Sequence, residues 1–198
     1  MSKAAKFVDE YQAIKKDLNK RLDKNRYIHC EGVAITAASL AMRYDYDIKR
    51  AMLSGILHDC AKQYSENKLI NLCKKYKLEI TDAEINNPSL LHAKVGSSIA
   101  KVKYNITDQD ILNSITYHTT GRPEMTILEK IIYIADYIEP FRKEIPTLSE
   151  IRKAAFEDLD KAVILEAEAT IEHLKNKKVA IDDMTLNTMV YYKNLIKN

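Results

Sequence analysis

Apolar residues recur along this chain at intervals of three and four, and no stretch of useful length alternates with period two. Phe7, Tyr11, Ile14 and Leu18 mark the inner face of a helix over 4–22. An alanine-rich stretch predicts a second helix over 27–44. Asp47 is placed to cap a third, whose apolar positions Met52, Leu53, Ile56 and Leu57 lead into His58-Asp59. Ser65 opens a short helix to Lys74, and residues 81–90, with Asn86-Asn87-Pro88, read as a turn and a short helix. A further helix over 91–103 carries His92 at its start. Thr107-Asp108-Gln109-Asp110 sets acidic side chains at the positive end of a helix reaching His118. Thr126-Ile127-Leu128-Glu129 fits a capping box for a strongly apolar helix to Tyr137, and Thr147-Leu148-Ser149-Glu150 fits another. Two C-terminal helices follow, over 158–175 and 182–197. The pattern predicts an all-α fold, with residues 1–198 as a single domain.

Composition agrees with that pattern and narrows the class. Four glycines and four prolines leave few places for tight turns, which favours helices on short connections. A net charge of +3 is too small for the clustered basic face of a nucleic-acid binder. No apolar run approaches the roughly 20 residues that span a bilayer, so no membrane partner is expected. The start, Met1-Ser2-Lys3-Ala4-Ala5-Lys6, has no apolar signal core, and a cytoplasmic location is expected. Cys30, Cys60 and Cys73 are odd in number and lack CxxC spacing, so they are expected to be reduced and partly buried.

Candidate chemistry centres on Leu57-His58-Asp59-Cys60-Ala61-Lys62. Imidazole and carboxylate are strong ligands for borderline divalent metals, and neighbouring ligands can grip one ion from one turn of helix. Lys62, four residues after His58, is expected on the same helix face, and a metal beside a cation suggests a phosphate ligand. His29, three residues after Arg26, would alone read as a hydrogen-bonded core histidine. Asp136 interrupts the apolar run Ile131-Ile132-Tyr133-Ile134-Ala135, where a carboxylate is costly unless ion-paired or metal-bound. His173 and the run Lys175-Asn176-Lys177-Lys178 read as surface.

The donors occur in the order His29, His58-Asp59, His92, His118, Asp136. With Arg26-x-x-His29, His58-Asp59-Cys60-Ala61-Lys62, His118-Thr119-Thr120-Gly121 and Ala135-Asp136-Tyr137-Ile138-Glu139-Pro140, the chain resembles the HD-domain phosphohydrolases. Within them it looks closely like the YqeK family of symmetrically cleaving dinucleoside tetraphosphatases. The matches run from about Arg26 to Arg142. The resemblance implies an HD-domain helical bundle with additional C-terminal helices over 147–198. It implies that His29, His58, Asp59 and Asp136 hold one metal, and that Asp59 bridges to a second held by His92 and His118. Two divalent ions are expected, with iron favoured and manganese or zinc as alternatives.

The substrate implied is a dinucleoside polyphosphate, above all diadenosine tetraphosphate. It would be cleaved to two ADP by attack of a metal-bridging hydroxide on an inner phosphate. Asp59, Lys62 and Arg26 are the expected catalytic residues. Phosphate contacts are expected from Arg26 and Lys62, from His118 and Thr119, from the backbone around Gly121, and from Arg122 and Arg142. Glycine also commonly ends a helix, so packing is an equal reading for Gly121. The alternatives are a broader HD-superfamily nucleotide phosphohydrolase and a non-catalytic nucleotide-binding module. A homo-oligomer is compatible with the sequence, and the C-terminal helices carry no motif.

Overall fold

Short polar side chains start most of the helices. In the computed structural model, which describes residues 2–197, Asp23, Asp47, Ser65, Asp108, Asp158 and Asp182 each accept hydrogen bonds from the first free backbone N–H groups of a helix. Thr81 and Thr126 form complete capping boxes with Glu84 and Glu129. The elements run α1 (Lys3–Arg21), α2 (Lys24–Arg43), α3 (Ile48–Leu57), α4 (Glu66–Tyr76), α5 (Asp82–Asn86), a 3-10 turn at Pro88–Leu91, and α6 (His92–Lys103). Then come α7 (Gln109–Thr116), α8 (Ile127–Ile138), α9 (Leu148–Glu157), α10 (Leu159–Asn176) and α11 (Asp183–Leu195). No strand occurs among the described residues, so the fold is all-α. No helix among them is long and apolar enough to cross a membrane.

Helix α8 is the centre of the packing. Leu128, Ile131, Ile132, Tyr133, Ile134 and Ile138 are all buried, so the helix is apolar on nearly every side. Each such side chain stabilises the fold by about 1.5–3 kcal/mol. Helices α2, α7, α9 and α10 pack around it. The alanines of α2 allow a close approach to α3: a Cβ on Gly55 would lie 2.7 Å from Ala34 Cα. That approach brings the start of α2, with His29, beside the end of α3, with His58. Cys30, Cys60 and Cys73 are free and buried.

Three local features differ from the sequence pattern. Helix α3 stops at Leu57, and residues 58–63 form successive turns, so Lys62 does not share a helix face with His58. The cause is the His58 side chain: its Nδ1 takes the Gly55 carbonyl at 2.7 Å, the acceptor that a continuing helix would offer to Asp59 N–H. The chain tightens instead into three-residue bonds, Cys60 N–H to Leu57 O at 3.0 Å and Lys62 N–H to Asp59 O at 2.9 Å. Helix α7 likewise stops at Thr116, before His118. Thr147 stands at a helix start but makes no capping bond; its Oγ1 lies 3.3 Å from the Tyr137 hydroxyl.

Candidate metal centre

Four histidines converge because each is held by one nitrogen, three of them by the backbone and His29 by a side chain. His58, His92 and His118 direct Nδ1 to the carbonyl three residues earlier, those of Gly55, Ser89 and Ile115. His29 directs Nδ1 to Glu139 Oε1 at 3.1 Å. A carbonyl or carboxylate oxygen only accepts, so every Nδ1 carries the proton. In the neutral rings every Nε2 is then left with its lone pair.

Those Nε2 atoms point at one another and at two carboxylates. His29 Nε2 lies 3.3 Å from His58 Nε2, and His92 Nε2 lies 3.2 Å from His118 Nε2. Asp59 stands between the pairs: Oδ1 is 3.1 Å from His92 Nε2 and 3.5 Å from His118 Nε2, while Oδ2 is 3.5 Å from His58 Nε2. Asp136 Oδ1 is 3.0 Å from His29 Nε2 and 3.8 Å from His58 Nε2. His29, His58, Asp59, His92 and His118 are buried, and Asp136 is half-buried.

Asp59 Oδ1 has no hydrogen-bond donor although it is buried. It faces two nitrogens whose protons are on the far side of their rings, so acceptor meets acceptor. Such an arrangement is costly unless a cation sits among the lone pairs. Three overlapping sets offer ligand atoms within 4.8 Å of one another: His29, His58 and Asp59; His58, His118 and Asp136; Asp59, His92 and His118. The donors therefore fit a divalent metal, and mixed imidazole and carboxylate ligation suits iron, manganese or zinc better than magnesium.

The titration behaviour follows from the same crowding. Burial alone would push Asp59 up, but the charge of His58, whose own pKa is raised, holds it well below the usual carboxylate range. Burial likewise opposes ionisation of Asp136, and His29, His58 and Arg142 outweigh it. Burial lowers the His118 pKa. For His58 burial acts downward, but Asp59 and Asp136 act upward more strongly and the pKa is raised.

Three cations border the cluster. Arg26 donates from Nη1 to Asp59 Oδ2 at 2.5 Å. Arg142 donates to Asp136 Oδ1 at 2.9 Å and to the Asp136 carbonyl at 3.0 Å, so this half-buried carboxylate has an ion pair beside its histidine contacts. Lys62 is exposed as a residue, yet its ammonium lies 3.3 Å from His92 Nε2, and desolvation there lowers its pKa.

The other residues singled out in the sequence have different surroundings. Thr119 is half-buried beside His118. Arg122 is taken up by Glu129, donating from Nε at 3.0 Å and from Nη2 at 2.9 Å, and it also lies over the Tyr117 ring. Gly121 is buried with φ +61°, and a Cβ there would sit 2.7 Å from Thr188 Cγ2 on α11. Its conformation and its close packing on α11 both call for glycine.

Two features had little signal in the sequence. Glu139, buried at 2% exposure, binds His29 Nδ1 through Oε1 and the Phe141 N–H through Oε2 at 2.6 Å. Its place in the quoted Asp136-Tyr137-Ile138-Glu139-Pro140 run was the sole clue. His173 is exposed, as expected, but it lines a cavity of about 900 Å³ that also takes in Arg26 and His29.

Comparisons with known proteins place this arrangement. A family model described as the HD domain matches residues 26–140. The symmetrical bis(5'-nucleosyl)-tetraphosphatase of Bacillus subtilis (strain 168) is 40% identical over 176 residues, 87% of this chain and 94% of that protein. The enzyme of the same name from Staphylococcus aureus (strain NCTC 8325 / PS 47) is 37% identical over 87% of this chain and 89% of its own length. The crystal structure from Clostridium acetobutylicum described as that of a "predicted HD superfamily hydrolase involved in NAD metabolism" superposes with a TM-score of 0.90 at 42% identity. It covers 93% of this chain and 97% of that one. On its ordered histidines and aspartates, its helical scaffold and these relatives, the chain belongs to the HD domain family, among its YqeK-like members.

Proposed function

We propose that this protein is a metal-dependent symmetrical bis(5'-nucleosyl)-tetraphosphatase that hydrolyses diadenosine tetraphosphate to two ADP. The observation that carries the reading is Asp59 Oδ1, a buried acceptor ringed by lone pairs, with three cations at the rim of the cluster. The likeness to curated enzymes of that name, over most of both chains, supports the substrate.

His29, His58, Asp59 and Asp136 would hold one ion, and Asp59, His92 and His118 a second. Divalent ions bound there supply a water of lowered pKa and screen phosphate charge. Iron is the favoured metal. Arg26 and Arg142 present guanidinium forks that can pass from the carboxylates to phosphoryl oxygens, and Lys62 adds a point charge. Water adds to an inner phosphorus atom and the bond from that phosphorus to the central bridging oxygen breaks. The bridging oxygen departs on the second ADP. A diphosphate whose charge is screened in this way leaves without a strong general acid.

The test is product chromatography on diadenosine tetraphosphate with iron-, manganese- and zinc-loaded protein. Two ADP per substrate is the expected result, and ATP plus AMP would overturn the symmetric assignment. Equal turnover of mononucleotides at matched concentration would favour a broader nucleotide phosphohydrolase.

A further inference from the structure

Six metal ligands and three cations can recognise phosphates, but they offer nothing to the flat, largely apolar heterocycle of a nucleoside. The cavity of about 900 Å³ shares Arg26, His29 and Arg142 with the cluster and its rim, and takes in residues beyond them. Beyond them its lining mixes charged side chains, Lys143 and Glu172 among them, with apolar ones: Phe141, Ile145 and Pro146 from the connection between α8 and α9, and Ala169 from α10. Phe141 is 59% exposed, a large apolar ring left open in the wall of a cavity.

The backbone that carries that ring is nevertheless tied to the cluster. The Phe141 backbone N–H donates to Glu139 Oε2 at 2.6 Å, while Glu139 Oε1 accepts from His29 Nδ1 at 3.1 Å. One buried carboxylate thus anchors both the metal ligand and the backbone at Phe141. Arg152 of α9 ties down the same corner, donating to the Ile138 and Glu139 carbonyls, each at 3.0 Å. Beneath the ring lies Gly32, one turn beyond His29 on α2. A Cβ there would meet Phe141 Cδ2 at 3.0 Å and Glu139 Oε2 at 2.5 Å.

We propose that Phe141 is the stacking platform for one nucleobase, and that the cavity between residues 139–147 and α10 is a nucleoside subsite. The inference rests on the nucleotide reading given above and adds where the base is held. Base-on-aromatic stacking contributes about 1–3 kcal/mol per base and tolerates any base, because each has a π-face. At the α10 end, Thr170, His173 and Asn176 line the cavity and offer donors and acceptors for a base edge or ribose hydroxyls.

The test compares two probes, ADP and inorganic pyrophosphate, by calorimetric titration of the metal-loaded full chain. Phe141→Ala should weaken ADP binding roughly tenfold and leave pyrophosphate binding unchanged. Phe141→Leu keeps apolar bulk but removes the π-face, so it should lose nearly as much ADP affinity while folding normally; Phe141→Tyr should retain wild-type affinity. Unchanged ADP binding in the Leu variant, or equal losses for both probes, would overturn the proposal. Hydrolysis is measured in parallel. A wild-type protein that releases no ADP from diadenosine tetraphosphate, yet shows the ADP–pyrophosphate contrast, would refute the tetraphosphatase reading and leave the subsite standing.

Discussion

His29 and Glu139 lie far apart in the chain and are joined by a 3.1 Å bond from imidazole Nδ1 to carboxylate Oε1. The bond fixes the ring so that Nε2 faces Asp136 at 3.0 Å, and it ties the start of α2 to the end of α8. Of the four converging histidines, His29 alone is oriented by a side chain; the others use backbone carbonyls. That difference makes its orientation open to mutation.

Glu139→Gln is expected to weaken metal binding by about 10–100-fold. Both partners of the carboxylate, His29 Nδ1–H and the Phe141 N–H, are donors. An amide can accept from one and must turn its NH2 towards the other. Chelator-competition titration of the variant reads the change. Wild-type affinity would show that the bond does not position His29.

Asp59→Ala should abolish hydrolysis and reduce bound metal, since one carboxylate faces His58, His92 and His118 together. A bound ion stabilises the fold by about 2.7 kcal/mol at 100 times its Kd. Thermal melts with and without metal should therefore show a clear upward shift for the wild type and little for the variant. Elemental analysis of the purified proteins gives the stoichiometry independently. Full metal content in the variant would remove Asp59 from the ligand set.

The helical pattern and the order of the six donors could be read from residue types, because period, caps and side-chain chemistry are local properties. The bonds that aim the donors could not. His58, His92 and His118 each use a carbonyl three residues back, and nothing in Gly55, Ser89 or Ile115 as residue types signals this. The same bond at Gly55 ends α3 early and takes Lys62 off the expected helix face. Arg122 meets Glu129 only because the turn before α8 folds back, and Glu139 reaches His29 only through tertiary packing.

Gly121→Ala should destabilise the protein by about 1–3 kcal/mol, through a positive φ and overpacking. At this chain length each kcal/mol lowers Tm by roughly 2–4 °C. The new methyl would meet Thr188 Cγ2 at 2.7 Å. The same substitution should therefore cost less in a Thr188→Ala background, and a double-mutant cycle on thermal melts measures the coupling. Strict additivity would show that the contact with α11 is not what demands glycine.

Glu166 on α10 is buried, and its Oε2 has no hydrogen-bond partner among the described residues. Burial pushes its pKa well above the ordinary value, Asp136 adds to the rise, and Arg142 opposes it. The folded state therefore keeps a proton that the unfolded chain releases near pH 4.3. Folding stability from this group is fully present below that pH and declines as pH rises towards the folded pKa. Glu166→Gln stays neutral in both states and escapes the decline. The variant should gain on the wild type between pH 5 and pH 8, so that its Tm advantage is larger at pH 8. Melts of both proteins at the two pH values, with saturating metal throughout, measure the difference. A constant gap would mean that Glu166 is ionised in the fold, with a cation or ordered water supplying the partner that its Oε2 lacks.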